Sequence, residues 1–313
     1  MPALRVAFMG TPSFALPALQ MLHAAGYEIA GVITQPDRPH GRGQIAAAPA
    51  VKILAHKLEL SVFQPENIKD EAAVEMIRNL APEMIVVAAF GQILPKTALE
   101  IPPYGCLNIH PSLLPKYRGA APINWTLIRG ETKTGVTIML MDEGMDSGDI
   151  LTQQETAIAP AENFGHLHDR LARLGAQLLL QTIEQCAAGA IQGQPQDASS
   201  ATFAPRLTKE TGMINWRDSA ANVCNLIRAL SPAPGAYSLI NGKVIKIFTA
   251  EAAPEETGKQ PGAIVEHARD AIKVAVQNGL VLLKEVQLAG KKKMPVRDFL
   301  RGYQIKVNTI LGS

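Results

Sequence analysis

Cysteine is scarce in this chain. Its three copies, Cys106, Cys186 and Cys224, are too few and too scattered for a disulfide framework or a Cys-x-x-Cys metal site, which favours a reducing compartment and free core thiols. Long hydrophobic runs are missing too. After Met1-Pro2-Ala3-Leu4-Arg5 comes only a short apolar run ending at Gly10, far less than a signal h-region or a membrane span needs, so a cytoplasmic protein is expected. The turn after that run reads Gly10-Thr11-Pro12-Ser13-Phe14-Ala15. It lacks the Gly-x-Gly-x-x-Gly glycines that let a backbone approach a pyrophosphate, and no Gly-Lys-Ser/Thr of a phosphate loop occurs. Both absences argue against an NAD enzyme and a P-loop NTPase.

What is present is ordinary globular material, 313 residues with 47% hydrophobic and 19% charged, enough for about two domains. Charge is uneven along the chain. Residues 1–207 hold 15 Lys and Arg against 19 Asp and Glu, a balance of −4, whereas residues 208–313 hold 15 against 9, a balance of +6. A basic domain is the electrostatic footprint of a nucleic-acid contact, or simply a lysine-rich solvated surface. Apolar runs at 5–10 and 29–34 flank a helical pattern from Ser13, a βαβ opening that argues a parallel sheet. Residues 35–49 read as a long loop carrying Arg38 and Arg42 among glycines. Helices are expected at 51–58, at 70–80 with Asp70 as cap, at 123–129 and at 163–188, with strands at 62–63, 84–89, 106–110, 135–141 and 150–156. Past residue 207 the pattern becomes a helix at 219–230 and short strands at 236–240, 244–248, 262–266, 272–276 and 280–286, the first two flanking Asn241-Gly242. Such strands imply a small barrel or sandwich.

The most informative stretch runs from Gly105 to Pro122. Cys106-Leu107-Asn108-Ile109-His110 alternates as a strand, so Asn108 and His110 project from one face. Pro111 has no N–H to donate and ends the ladder, which puts the pair at a strand's carboxyl end, where ligand crevices of open α/β sheets lie. Leu113-Leu114-Pro115 supplies an apolar wall. Asp142-Glu143-Gly144-Met145-Asp146-Ser147-Gly148-Asp149 is an acidic loop whose spacing does not match a calcium-binding EF-hand, and no metal is expected.

Asn108, His110 and Ser112-Leu113-Leu114-Pro115 together resemble the signature of the 10-formyltetrahydrofolate-dependent formyltransferases. The extension Lys116-Tyr117-Arg118-Gly119-Ala120-Ala121-Pro122-Ile123 looks like the branch that formylates methionyl-tRNA. The resemblance implies a Rossmann-like parallel-sheet catalytic and folate-binding domain at 1–189, a linker at 190–207, and a basic OB-like β-barrel that binds tRNA at 208–313. It implies Asn108, His110 and Asp146 as the catalytic trio, working on direct attack by the amine through a tetrahedral oxyanion, with 10-formyltetrahydrofolate as formyl donor and charged initiator methionyl-tRNA as acceptor. Phe90, Gln92, Ile93, Leu94, Ser112, Leu113, Leu114, Pro115, Met141, Asp142 and Glu143 are the implied folate contacts. Arg38, Arg42 and the cluster Lys291-Lys292-Lys293 are the expected tRNA contacts. Gln44-Ile45-Ala46-Ala47-Ala48 departs from the polar residues usual after Gly-Arg-Gly in that branch. The alternatives are formylation of another amine, such as glycinamide ribonucleotide or an amino sugar, a folate-binding hydrolase, and a non-enzymatic RNA-binding protein.

Overall fold

A computed structural model describes residues 4–40, 45–255 and 257–312. The chain forms two compact units. The first takes the stretch up to Gly119, Lys133–Ala157 and His168–Phe203, and the second takes Ala120–Thr132, Ile158–Leu167 and the chain from Ala204 onward.

In chain order the elements up to the long helix are β1 (Arg5–Gly10), α1 (Leu16–Ala24), β2 (Glu28–Ile33), β3 (Arg38–His40), β4 (Ile45–Ala47), α2 (Ala50–Lys57), β5 (Val62–Phe63), α3 (Glu71–Asn79), β6 (Met84–Ala88), α4 (Lys96–Leu99), β7 (Cys106–His110), α5 (Pro122–Ile128), β8 (Lys133–Leu140), β9 (Ile150–Ala157) and α6 (Phe164–Ala187). Seven strands make the first unit's sheet in the order β5-β2-β1-β6-β7-β8-β9. The first five are parallel; β8 runs against β7, and β9 runs against β8 and so returns to the direction of the first five. From β1 the chain moves outward to β2 and β5, then returns to β6 on the other side of β1. That reversal places a crevice beyond the carboxyl ends of β1 and β6.

Burial follows the pleat. Cys106 joins Ala7, Met9, Ile33, Ile85, Val87 and residues of α3 and α4 in one apolar cluster. Ile109, on the opposite face, meets α6 so closely that a Cβ on Gly175 would lie 2.6 Å from its Cγ2. On α6, Leu167, Leu171, Leu178 and Leu179 are buried, while Leu174 is half-buried.

Three expectations need correction. The loop at 35–49 contains a short antiparallel pair, Arg38 opposite Ala47 and His40 opposite Ile45, because each segment meets the other's backbone hydrogen-bonding groups. Asp70 occupies the N-cap position of α3, but its side chain makes no capping bond; its carboxylate accepts from Asn67 Nδ2 at 2.7 Å. Nor is 190–207 a free linker throughout. Ile150 and Gln194 exchange backbone hydrogen bonds of 2.9 Å in both directions, and Arg118 N donates to Thr202 O at 2.9 Å, so the stretch through Phe203 is part of the first unit. It lacks a period because it is held by isolated bonds to separate segments, not by a continuous ladder.

The second unit adds α7 (Ala220–Ala229), β10 (Ala236–Ile240), β11 (Lys243–Ala253), β12 (Ile264–His267), β13 (Ile272–Val276), β14 (Gly279–Leu288), β15 (Met294–Pro295) and α8 (Val296–Gly302), the last two unforeseen in the sequence. Segments 120–132 and 158–167 belong here for identifiable reasons. Asn124 Nδ2 donates to Ala229 O at 2.7 Å and Trp125 Nε1 to Pro205 O at 2.7 Å, while Gly165 N donates to Ser231 O at 3.1 Å. The antiparallel sheet runs β10-β11-β14-β13-β12, with β15 also on β14. Among the described residues its two outer strands do not pair directly, so no closed barrel forms. The chain end laces them together instead. Leu311 N donates to Gly262 O at 2.8 Å beside β12, and Gly312 N to Leu239 O of β10 at 2.9 Å.

Candidate active site

Asn108 and His110 stand on the same face of β7, opposite Met139 and Thr137 of β8. After His110 the chain enters a loop bolted to the sheet by polar groups, the buried Thr137 and the exposed Gln153. Thr137 Oγ1 donates to Ser112 O at 2.7 Å and accepts from Leu114 N at 3.1 Å, while Gln153 Nε2 reaches Leu114 O at 2.7 Å and Thr137 Oγ1 at 2.9 Å. Ser112, fully buried, spends its hydroxyl on Lys116 O at 2.6 Å. Tyr117 then turns at a φ of 63°, an unusual conformation for a bulky residue. It is held by its N–H to Thr202 Oγ1 at 2.9 Å and by its carbonyl, which lies 3.0 Å from His110 Nε2. A carbonyl only accepts, so Nε2 carries the hydrogen and, in the neutral ring, Nδ1 presents its lone pair to Asp146.

Asp146 comes from the loop between β8 and β9. That loop begins beside Cys106, whose carbonyl accepts from Met141 N at 2.8 Å, yet Asp146 meets His110 at the other end of β7. The loop therefore folds back along the strand, past Asn108. Asp146 has a φ of 50°, which a short polar side chain tolerates. Its Oδ1 lies 3.6 Å from His110 Nδ1, and its Oδ2 accepts from Gly119 N at 2.8 Å. The His110 side chain is 4% exposed and that of Asp146 20%. Asp142 ties the loop to itself by accepting from Ser147 Oγ and Gly144 N. At Gly148 a Cβ would collide with Leu140 O, so the neck of the loop admits no side chain.

Asn108 differs from its neighbours. It is half-buried, and among the described residues its carboxamide has no hydrogen-bond partner, which leaves two donors and an acceptor for a ligand. Cys106 shares this face but not this availability. It is 2% exposed, and burial pushes its thiol up to about 12, so it is no thiolate nucleophile near neutral pH.

The other sequence-derived positions separate into open and occupied ones. Ile93 is 60% exposed, while Phe90 and Leu94 are buried in the core. Phe90 O already accepts from Thr11 Oγ1 at 2.8 Å and Gln35 Nε2 at 3.3 Å, and Gln92 spends its amide on Ile68 N and Glu66 O. Leu114 is buried, Leu113, Pro115 and Met141 are half-buried, and Asp142 and Glu143 are exposed. Arg38 is exposed on β3, and Arg42 lies outside the described residues. Lys291, Lys292 and Lys293 are exposed on the second unit, but Lys293 is engaged, 2.9 Å from Glu285 and 5.0 Å above the Phe248 ring. Among the described residues no cluster of His, Cys, Asp or Glu could hold a metal ion, and no helix is long and apolar enough to cross a membrane.

Thr137, Gln153, Gln196 and Thr202, which support the site, were missed in the sequence. Thr137 is a polar interruption of an apolar strand, a faint signal, whereas Gln153 lies within the polar run Thr152–Thr156 and is not marked. Gln196 and Thr202 sit in a Gly, Gln, Ser and Ala stretch with no signal.

A parallel α/β sheet carrying this polar trio at a strand end, joined to an antiparallel β unit, defines a formyltransferase architecture, and the chain belongs to the formyl transferase family. The family model "Formyl transferase" matches residues 4–183, and "Formyl transferase, C-terminal domain" matches residues 206–304. The methionyl-tRNA formyltransferase of Syntrophus aciditrophicus (strain SB) is 54% identical over 312 residues, covering 100% of both chains. That of Geobacter sulfurreducens is 46% identical over 312 residues, covering 100% of this chain and 98% of the relative. Among solved structures, HypX from Aquifex aeolicus in complex with tetrahydrofolic acid is similar with a TM-score of 0.66 at 18% identity; the match covers 98% of this chain but 50% of HypX, so the chain spans about half its length. WlaRD, a sugar 3N-formyl transferase, is similar with a TM-score of 0.66 at 19% identity over 93% of this chain and 100% of that one. At such identities these two structures speak for the fold.

Proposed function

We propose that this chain transfers the formyl group of 10-formyltetrahydrofolate to the α-amino group of initiator methionyl-tRNA. The full-length likeness to methionyl-tRNA formyltransferases supports the acceptor. The observation that carries the chemistry is the unpartnered Asn108 carboxamide beside the His110–Asp146 pair. A folate ring would find apolar surface at Ile93 and Met145, which are 60% and 59% exposed. The folate supplies, when bound, a formyl carbonyl open to attack by an amine.

Each role follows from what a side chain can donate or accept. Asn108 Nδ2 donates to the formyl oxygen, and this bond strengthens as negative charge develops there. The proton lost by the attacking amine passes to the His110–Asp146 pair, entering at Asp146, the more exposed of the two. His110 is kept in one orientation by Tyr117 O, and Asp146 faces the charge that the ring acquires on protonation. The same pair returns a proton to the departing nitrogen, so no covalent enzyme intermediate is needed. Arg38 and Arg42 reach the acceptor end of the tRNA, and Lys291 and Lys292 meet its backbone. A cytoplasmic place follows from the substrate, charged tRNA.

The test is formylation of initiator and elongator methionyl-tRNAs with 10-formyltetrahydrofolate. Formylated product is expected only when charged tRNA is present, with the initiator preferred, and Asn108→Ala should lower kcat by about 10²–10³. Release of formate without tRNA would make the chain a hydrolase, and formylation of an amino sugar in preference to charged tRNA would overturn the acceptor.

A further inference from the structure

Residue 196 lies in the stretch that looked like a linker, yet its side chain closes a ring around the site. Arg118 donates from Nε and Nη2 to Gln196 Oε1 at 3.1 and 2.7 Å. Gln196 Nε2 donates to Asp146 O at 2.8 Å and to Gly148 O at 2.7 Å. The amide orientation is dictated by its partners, because a guanidinium only donates and carbonyls only accept. Arg118, 9% exposed, sits between Tyr117, which holds His110 Nε2, and Gly119, which holds Asp146 Oδ2. One carboxamide thus joins the loop that orients His110 to the loop that presents Asp146, and it grips Asp146 at the residue whose φ is 50°.

We infer that Gln196 is a positioning residue for formyl transfer, setting the His110–Asp146 pair through its bonds to Arg118, Asp146 O and Gly148 O. The inference rests on the functional reading above, in which that pair handles the proton. Gln196 itself touches no reacting atom. Losing it takes a partner from two carbonyls and a buried guanidinium, and leaves Asp146 tied across loops by Gly119 N on its Oδ2. A displacement of about 1 Å at the reacting groups is enough to cost on the order of 10²-fold in rate.

The experiment compares full-length wild type, Gln196→Ala, Gln196→Glu and Asp146→Asn with 10-formyltetrahydrofolate and methionyl-tRNA. Gln196→Glu keeps the Arg118 partner but cannot donate to the two carbonyls, so it also serves if Gln196→Ala folds poorly. Both Gln196 variants should lose about 10- to 100-fold in kcat, with KM for either substrate within about two-fold of wild type. In the Asp146→Asn background the Gln196 substitution should cost less than about two-fold further, and amide exchange should quicken at 146–149 but not in β1 or β6. A wild-type kcat in either Gln196 variant, or a full additional loss in the Asp146→Asn background, overturns the inference. Wild-type activity of Asp146→Asn would instead overturn the reading of the site itself.

Discussion

Most strand pairs of the second unit, β10–β11, β12–β13, β13–β14 and β14–β15, join neighbours in sequence, while β11 reaches β14 across two intervening strands. β10 turns through Asn241 and Gly242, at φ of 49° and 71°, into β11, and β13 turns into β14 across Gln277 and Asn278. In the first unit the groups that meet around His110 come from residues 117, 119, 146 and 196, with Gln196 reaching Asp146 from 50 positions away and Arg118 from 78. Turn chemistry alone specifies the first kind of contact. The second kind exists only after the sheet has formed, because Arg118 and Gly119, Asp146, and Gln196 lie on three different loops. Function sits where assembly is non-local, on loops held by a rigid scaffold.

The sharpest way to break this contrast is His110→Ala, expected to lower kcat by about 10²–10⁴ with little change in unfolding, since its bonds orient a loop already bolted down by Thr137 and Ser112. Steady-state kinetics beside a denaturant melt would check it, and a collapse of both would mean that His110 is structural.

Trp216→Ala should do the reverse in the second unit. The indole is 5% exposed and donates to Ser238 Oγ at 2.9 Å, and its loss should cost about 3–5 kcal/mol. Calorimetry should show the second unit unfolding earlier, while Asn108 and His110 stay in place.

Alkaline pH probes both units through their thiols. Burial holds Cys106 up at about 12, and burial, with Glu251 adding, holds Cys224 up at about 11. An unfolded thiol ionises near about 8.5, so above that pH the unfolded chain loses protons that the folded one keeps. Stability supplied by the neutral thiols is complete below that range and is lost as pH rises through it toward the folded values. A urea midpoint that falls between pH 7.5 and 10.5, and falls less in the Cys106→Ala, Cys224→Ala double variant, is the expected result.

The smallest effect concerns the lysine turn. Lys293 is committed to Glu285 and Phe248, so Lys291→Ala and Lys292→Ala should each flatten the slope of log K against log salt for tRNA binding by about 0.7–0.9, and Lys293→Ala by less. Equal slopes for all three would show that the ion pair opens when tRNA binds.

Several features are legible in the sequence, each for a local reason. The alternation of Cys106–His110 with Pro111 behind it put Asn108 and His110 on one face at a strand end, and Asn241-Gly242 marked a turn. The sequence starts a helix at Ser219, whose hydroxyl accepts from Asn222 N at 3.2 Å. The antiparallel direction of β8 was not legible, because a strand's side-chain period is the same in either direction. Nor was the course of the Asp146 loop back along β7, or the pairing of β3 with β4.

What the sequence alone determined is therefore the inventory: the strands and helices with a clear period, the polar pair on β7, the acidic loop and the family signature. Only the tertiary structure decided which of those groups are spent and which remain open. Ser112 and Gln92 are consumed by backbone partners and Cys106 is sealed and neutral, while Asn108 keeps its carboxamide unbonded. Gln196, unmarked in the sequence, closes the ring. Hydrogen-bonding capacity is a property of the residue, but whether it is satisfied depends on neighbours from elsewhere in the chain.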